Sequence, residues 1–455
     1  MKDGYYLLSY KVNGIKNLDK DVKLEFYKKT IDKDFDPREY NVKAIYGENG
    51  TGKSAIVTSV YILKELMLNN SYLSQRDNID FLNKYINYKT KKLSLEIEFI
   101  YCGQPKVKIY KYVIEISNNN DYKQYKICRE IVYQKSINSN SWSIVYGVEN
   151  NELIKSSTNS IFKDYIIDNG KNVFSDKSVV SNYLLYKTLN ITKTEIKPTP
   201  ALEFNLITSL INCVNFAKSI FVYLEDSDFH QNITKYDEFL FEFSNGESEI
   251  KRIPIVDNVR FSRFGEIDYE FSINKNNYKE CLNTIDKACE FIKVFKPQLK
   301  KINVDPKENI DKYECKLVFD YGDYGIDAEY ESNGIKKLLR VFKVLDEVDK
   351  GNIAFIDEFD SNIHDVYLCR LIEYIEEHAK GQLCFTTQSI TVMDVLENRK
   401  KSLDFLSRDH EITSWFKNSH YSASRKYKEG YIDKSPFNIE SFDFLKAFGA
   451  AVDEK

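Results

Sequence analysis

Metal-site and disulfide patterns are missing from this chain of 455 residues. Its eight cysteines include no CxxC pair, and its five histidines form no cluster with the spacing of metal ligands. These absences exclude a zinc site built on cysteine pairs and argue against a disulfide framework. Scattered single cysteines favour a reducing, cytoplasmic location.

Long hydrophobic runs are also scarce. The first residues show no apolar core behind a basic start, so no secretory signal is predicted. The most apolar stretch, residues 202–224, is interrupted by polar side chains such as Glu203, Asn212 and Lys218. This favours a buried helix over a membrane span, and no membrane partner is expected. A net charge of −4 argues against a chain that coats nucleic acid by charge alone. It does not exclude a local basic patch.

The chain is nevertheless rich enough in apolar residues to bury a large interior. Hydrophobic residues make up 42% of it, which for this length predicts one large domain with one or two smaller ones. Alternating apolar and polar residues predict strands before residue 46 and an antiparallel β meander over residues 93–146. The pattern from 156 to 295 is mostly helical. A hairpin over residues 312–330 is followed by alternating helices and strands.

This layout predicts an α/β fold in which one nucleotide-binding head is interrupted by an insertion. We assign residues 1–150 to the first part of the head, 151–305 to a mostly helical region for dimerisation or partner binding, and 306–455 to the second part. Insertion into a loop is tolerated when its two ends lie close in space.

A glycine-rich motif follows the predicted strand 41–46. Residues 47–54 read GENGTGKS, which fits GxxxxGK[ST] and precedes an amphipathic helix. Glycines let backbone N–H groups turn toward phosphate oxygens, and the helix adds its positive end. We expect Lys53 at the β- and γ-phosphates and Ser54 on Mg²⁺. The complete set of nucleotide-binding residues predicted here is Gly47, Glu48, Asn49, Gly50, Thr51, Gly52, Lys53 and Ser54.

Two adjacent carboxylates end a second apolar strand, NIAFIDE. A strand tip beside the phosphate loop would place Asp357 in the Mg²⁺ shell. Glu358 would then face the water that attacks the γ-phosphate and act as its general base. Upstream, Ser332 and Gly334 precede an amphipathic helix. Ser332 is a good N-cap, and Gly334 allows close approach of an anion to the helix start.

Four segments in this order, GENGTGKS, ESNGIKKL, FIDEFDSNIH and the strand end TTQS, resemble ABC-type ATPases of the AAA15 (RloA/AbiLi-like) group. These are relatives of OLD, RecF and SMC heads. The resemblance implies an ABC-type P-loop head that binds ATP and Mg²⁺, hydrolyses ATP, and pairs head to head or forms a higher homo-oligomer. It also implies that residues 331–337, the signature segment, act in trans, with Ser332 and Gly334 on the γ-phosphate held by the partner head.

Two further residues acquire roles from the same resemblance. His364 stands in the loop that crosses the dimer seam of ABC heads, although an ordinary exposed helix start explains it equally well. Gln388 occupies a position where many ABC heads carry a histidine that touches the γ-phosphate. A glutamine still donates a hydrogen bond there but carries no proton, which argues against fast turnover.

Members of this group often belong to bacterial phage-defence or abortive-infection systems. The resemblance therefore implies a sensor or regulatory ATPase that controls a separate effector, such as a Toprim or HNH nuclease or an RloB-like subunit. Nucleic acid or a phage protein would be the trigger. Asp404, Asp409 and Glu411 lack the strand context of a Toprim site, so no nuclease of its own is predicted. The alternative is a RecF- or SMC-like head that binds duplex DNA, with the basic residues of 425–434 as a candidate surface.

Overall fold

The computed structural model describes residues 4–28, 31, 35–103, 107–119, 124–137, 139–150, 152–156, 176–181, 201–225, 239–244, 249–254, 269–310, 312–417 and 421–432. About half of the predicted helical middle, and all of the tail beyond residue 432, lie outside the described residues. Strands and helices are numbered below in chain order.

A six-stranded sheet forms the centre of the described fold. Its strands are β3 (Val42–Gly47), β9 (Ile220–Tyr223), β16 (Ile353–Ile356), β17 (Gln382–Thr386), β18 (Leu403–Leu406) and β19 (Ile412–Ser414). They lie side by side in the order β19-β18-β3-β17-β16-β9. All neighbouring pairs are parallel except β18 with β19. The carboxyl ends of β3, β17 and β16 therefore meet at one edge.

Helices cover both faces of this central sheet, as expected for a buried parallel sheet. On one face, α1 (Lys53–Leu68) and α3 (Ala201–Lys218) share a hydrophobic core with Ile45 and Phe355. On the other face, α5 (Asn333–Lys350), α6 (Asp365–His378) and α7 (Ile390–Leu396) pack with Ala44 and Ala354. Neighbouring strand residues thus enter opposite cores, which follows from the period of two in a strand.

The predicted meander is present and includes the opening strands. Its members are β1 (Tyr5–Asn13), β2 (Val22–Glu25), β4 (Lys92–Tyr101), β5 (Lys108–Asn119), β6 (Gln124–Ser136), β7 (Ser143–Glu149) and β8 (Glu152–Ser156). They form a seven-stranded antiparallel sheet in the order β2-β1-β4-β5-β6-β7-β8. This meander sheet packs over α1 and α3 and completes the first core.

Smaller elements complete the described part. The predicted hairpin after residue 312 is confirmed by the pairing of β14 (Lys312–Asp320) with β15 (Gly325–Asp327). The other elements are β10 (Phe239–Ser244), β11 (Glu249–Pro254), β12 (Glu270–Asn274), β13 (Lys301–Glu308), α2 (Arg76–Tyr85), α4 (Tyr278–Phe295) and α8 (Ala423–Lys428). Within the described ranges, no helix has both the length and the apolar character needed to cross a bilayer.

The prediction of a mostly helical middle overlooked strands in the part that the structure describes, such as β10, β11 and β12. The apolar stretch 202–224 is not one helix, because α3 ends at Lys218 and β9 follows. A continuous apolar run has no period that separates a buried helix from a buried strand, which explains the error. Because β9 pairs with β16, part of the predicted insertion lies in the central sheet. The boundaries at 150 and 305 stay a prediction.

The side chain of Gln382 joins the two large sheets. It is buried at the start of β17, and its Oε1 accepts the N–H of Leu7 at 2.6 Å. Its Nε2 donates to the carbonyl of Leu7 at 3.1 Å. On that side of β1, pairing with β2 begins only at Ser9. The amide of Gln382 therefore replaces the missing strand neighbour of Leu7.

We expect Gln382→Leu to destabilise the protein by about 3 kcal/mol, because both backbone groups of Leu7 would stay buried without a partner. Urea unfolding followed by circular dichroism measures this. The matched control is Gln124→Leu at an exposed start of β6, where a change within about 0.5 kcal/mol is expected. Equal losses in the two variants would contradict a joining role for Gln382.

Candidate active site

The phosphate loop, residues 47–54, connects β3 to α1 as predicted. Gly50 and Gly52 have φ values of +81° and +106°, in the left-handed region that favours glycine. A Cβ on Gly52 would lie 2.5 Å from Leu18, and one on Gly47 would lie 2.6 Å from the carbonyl oxygen of Leu406. Gly50 and Gly52 therefore suit glycine for their backbone conformation, whereas Gly47 needs it for space.

Lys53 lies inside the curve of this loop. Its Nζ donates to the carbonyl oxygens of Gly47 at 2.6 Å and Glu48 at 3.0 Å. Burial lowers the pKa of Lys53, while the nearby carboxylates of Asp357 and Glu358 act in the opposite sense. Ser54 follows in the first turn of α1, whose leading N–H groups have no partner within a helix. The loop thus presents a buried cation and free backbone donors, the groups that bind a polyphosphate.

Three side chains from distant segments brace the loop from outside. Asn17 donates its amide to the carbonyl of Gly50 at 2.6 Å, and Arg408 forms an ion pair with Glu48. Gln388 donates its amide to the side-chain oxygen of Asn49 at 3.2 Å. The prediction placed Gln388 at the γ-phosphate, and the structure does bring it to the loop. Asn17 and Arg408 were missed, because no local pattern marks residues that meet the loop only through the fold.

The acidic pair lies at the adjacent strand end. Asp357 follows β16 and is buried, and its Oδ1 accepts a hydrogen bond from the hydroxyl of Thr386 at 2.6 Å. The same hydroxyl accepts the N–H of Glu358 at 2.7 Å. Thr386 ends β17, which lies between β16 and the strand that enters the phosphate loop. One threonine therefore sets the position of both acidic residues.

Glu358 combines a strained backbone with an exposed side chain. Its φ is +47°, in the left-handed region, which costs a residue with a Cβ about 1 kcal/mol. Although the side chain reaches solvent, partial burial of its carboxylate raises its pKa, as does the charge of Asp357, whereas Lys337 acts in the opposite sense. A raised pKa lies closer to neutral pH, and a general base is most effective when its pKa is near the pH at which it works.

Ser54 and Asp357 suit a magnesium ion that is held by few protein ligands. Among the described residues, no donor is hydrogen-bonded to Oδ2 of Asp357, and Ser54 begins the helix at the neighbouring strand end. No cluster of three or more acidic, histidine or cysteine ligands occurs within the described ranges. Mg²⁺ characteristically takes one or two protein oxygens and completes its shell with water and phosphate. Ser54 and Asp357 match that preference.

The signature segment packs against the loop that follows the acidic pair. Ser332 is exposed and caps α5 by accepting the N–H of Ile335 at 3.5 Å. A Cβ on Gly334 would lie 2.6 Å from the carbonyl oxygen of Asn362, so only glycine fits there. His364 caps α6 through Nδ1, which accepts the N–H of Val366 at 3.3 Å. Among the described residues, no hydrogen bond joins Ser332, Gly334 or His364 to the phosphate loop.

Lys337 is a site residue that sequence reasoning missed. It lies on α5 with its side chain only 2% exposed, and its Nζ donates to the carbonyl of Glu358 and to the hydroxyl of Ser361. It also pairs with Glu225 at 3.1 Å. A signal was available: Lys337 continues the stripe of buried valines on α5, Val341, Val344 and Val348. A lysine in such a stripe needs a buried partner.

The expectation about Asp404 needs a correction. It was predicted to lack strand context, but it lies within β18. Its side chain is fully buried, where it pairs with Lys43 at 2.7 Å and accepts the hydroxyl of Ser414 at 2.6 Å. Asp404 thus serves as a structural counter-ion. Asp409 and Glu411 lie outside strands, as predicted.

Comparison with known proteins identifies no family. No protein-family model matches the chain, and no curated protein matches it. Among solved structures, the chain is similar to the SMC head domain from Thermotoga maritima, with 12% sequence identity and a TM-score of 0.34. The alignment covers 90% of this chain and 99% of that one. A likeness of this degree carries no argument about function, which must come from the site itself.

The strain at Glu358 predicts how replacements there affect stability. Glu358→Gly and Glu358→Ala both remove the carboxylate, but only glycine adopts a positive φ without a clash. We expect Glu358→Gly to be more stable than Glu358→Ala by about 1 kcal/mol, measured by thermal or urea unfolding. A Glu358→Ala variant as stable as Glu358→Gly would contradict a strained backbone at this position.

Proposed function

We propose that this protein is a Mg²⁺-dependent ATPase of the ABC type. The observation that carries the proposal is the meeting of three features at the carboxyl ends of adjacent parallel strands. The phosphate loop ends β3, Thr386 ends β17, and Asp357 and Glu358 follow β16. ATP is the ligand that uses a buried lysine, a helix start and two carboxylates together.

Each residue has a distinct role in this proposal. The loop amides and Lys53 bind the phosphates. Ser54 and Asp357 would hold Mg²⁺, which neutralises phosphate charge when bound. Glu358 orients the attacking water and accepts its proton, and Gln388 contributes a hydrogen-bond donor near the γ-phosphate. Because Gln388 does not titrate, Glu358 is the only one of these two side chains that can accept the proton.

We further propose that the site is completed by a second copy of the chain. The exposed start of α5 offers Ser332 and the N–H groups of Asn333 and Gly334, which have no partner within the helix and can bind an anion. Its own chain leaves this site facing solvent at Ser332. In a head-to-head pair, the start of α5 in one protomer would contact the γ-phosphate held by the other, with His364 at the seam.

ATP turnover per subunit, measured while protein concentration is raised, tests this function. We expect the wild-type rate per subunit to rise with concentration. Glu358→Gln should bind ATP but lose turnover by about 10²-fold or more, because a general base contributes that much. Lys53→Ala should lose nucleotide binding. Ser332→Arg should keep binding and lose turnover, because the bulk falls on the partner's phosphate.

The control for the arginine replacement is Ser141→Arg, at an exposed turn of the meander sheet. It should leave turnover within a factor of two. If Ser332→Arg hydrolyses ATP at the wild-type rate, the shared site is wrong while a single-chain ATPase survives. If Glu358→Gln retains full turnover, the assignment of the general base is wrong.

We propose phage defence as the biological setting, with this chain as the regulatory ATPase of a separate effector. The support for this setting is the order of the four motifs GENGTGKS, ESNGIKKL, FIDEFDSNIH and TTQS. The support for a separate effector is that Asp404, a candidate nuclease residue, is paired with Lys43 in the interior. The effector would be a nuclease or an RloB-like subunit, and the trigger nucleic acid or a phage protein. A cytoplasmic location is part of the same proposal.

Infection of bacteria that carry this gene with its neighbours tests the setting. Protection in the wild type and its loss in Lys53→Ala, with equal protein levels, are expected. Equal protection in both would show that nucleotide binding is not involved. For the DNA-binding alternative, two of the three basic residues of α8 already have partners, because Arg425 pairs with Glu429 and Lys426 lies over the ring of Trp415.

A further inference from the structure

The peptide of Glu358 is held on both sides by side chains from different elements. Its N–H donates to Thr386 of β17, and its carbonyl accepts from Lys337 of α5. Its φ of +47° would relax in a free loop. A strained residue persists only where the surroundings determine its conformation. The N–H of Ser361 also donates to the carbonyl of Glu358, at 3.0 Å, but Thr386 and Lys337 are the two side chains from other elements that hold this backbone.

The ammonium group of Lys337 is itself held by several partners. Besides the carbonyl of Glu358, its ammonium contacts the hydroxyl of Ser361 and the carboxylate of Glu225. Burial lowers its pKa, which the charge of Glu225 opposes. A buried ammonium is unfavourable unless its donors are satisfied, and here each of the three donors has an acceptor. Any movement of α5 that displaces this ammonium must also disturb the peptide of Glu358.

The position of Lys337 on α5 gives this contact a direction. Ser332 and Gly334 begin the same helix, about one turn before Lys337 at roughly 3.6 residues per turn. Ser361, the second acceptor, lies in the loop that carries Asn362, against which Gly334 packs. The start of α5, which would face a partner's nucleotide, and Lys337, which contacts Glu358, therefore lie on one helix. Movement at one of them is transmitted to the other.

We propose that Lys337 is a positioning residue that couples the start of α5 to Glu358, so that hydrolysis in one head depends on nucleotide bound by the other. This rests on the proposed function, because it needs a pair of heads with shared sites. Contact of α5 with the partner's phosphate holds Lys337 in place, and Lys337 holds Glu358. Without that contact, the glutamate is misplaced, and a misplacement of about 1 Å lowers catalysis by about 10²-fold.

The test measures turnover of the full chain against ATP concentration, beside direct binding of a fluorescent ATP analogue. For the wild type we expect a Hill coefficient above one. Lys337→Met keeps the length and apolar stem but removes the donors. It should lower kcat by about 10- to 100-fold, leave nucleotide affinity within twofold, and bring the Hill coefficient to one. A residue with only a structural role would lower stability without this separation.

Lys343→Met is the matched control, because Lys343 is a buried lysine on the same helix that pairs with Glu347 of that helix. It should keep wild-type kcat and Hill coefficient. If Lys337→Met does not fold, Lys337→Gln is measured instead, since it keeps a polar group but is too short to reach the carbonyl of Glu358. The same separation of kcat from binding is expected.

The outcomes distinguish this inference from the function beneath it. If the wild type shows no turnover at any protein concentration, the proposed ATPase fails and the coupling falls with it. If the wild type turns over cooperatively and Lys337→Met does the same, the ATPase stands and the coupling is overturned. A wild-type Hill coefficient of one, or parallel losses of kcat and affinity in Lys337→Met, would also overturn it.

Discussion

The hydroxyl of Thr386 is the interaction on which the site depends. It donates to the carboxylate of Asp357 and accepts the N–H of Glu358, so one oxygen aligns both acidic residues. It can do this only because β17 lies between β3 and β16 with all three strands parallel. The order of strands in the central sheet is therefore a condition for the chemistry, because it brings the phosphate loop and the acidic pair to one edge.

Around this edge the protein keeps several unfavourable features. Glu358 has a left-handed backbone, Lys53 and Lys337 are buried cations, and Lys43 is paired with Asp404 in the interior. Each is tolerated because partners surround it: carbonyls for Lys53, three acceptors for Lys337, and a carboxylate for Lys43. Buried charges of this kind specify one arrangement of the surrounding groups, since any other arrangement leaves a charge unpaired.

Motifs whose residues are adjacent in the chain were predicted well. The phosphate loop, the helix after it, the acidic pair and the capped helix at Ser332 all have local patterns, and the structure places them in the expected elements. The middle of the chain was predicted less well. Residues 220–223 form an edge strand of the central sheet, although their apolar character equally suited a helix.

The sequence by itself determined where backbone conformation and local capping are required, because glycines at positive φ and a serine before a helix act within a few residues. Only the tertiary structure decided which distant side chains complete the site. Asn17, Arg408 and Thr386 meet the loop and the acidic pair through sheet order, and Lys337 reaches Glu358 across a helix–loop contact. Such partners are chosen by distance in space, and a single sequence records only distance along the chain.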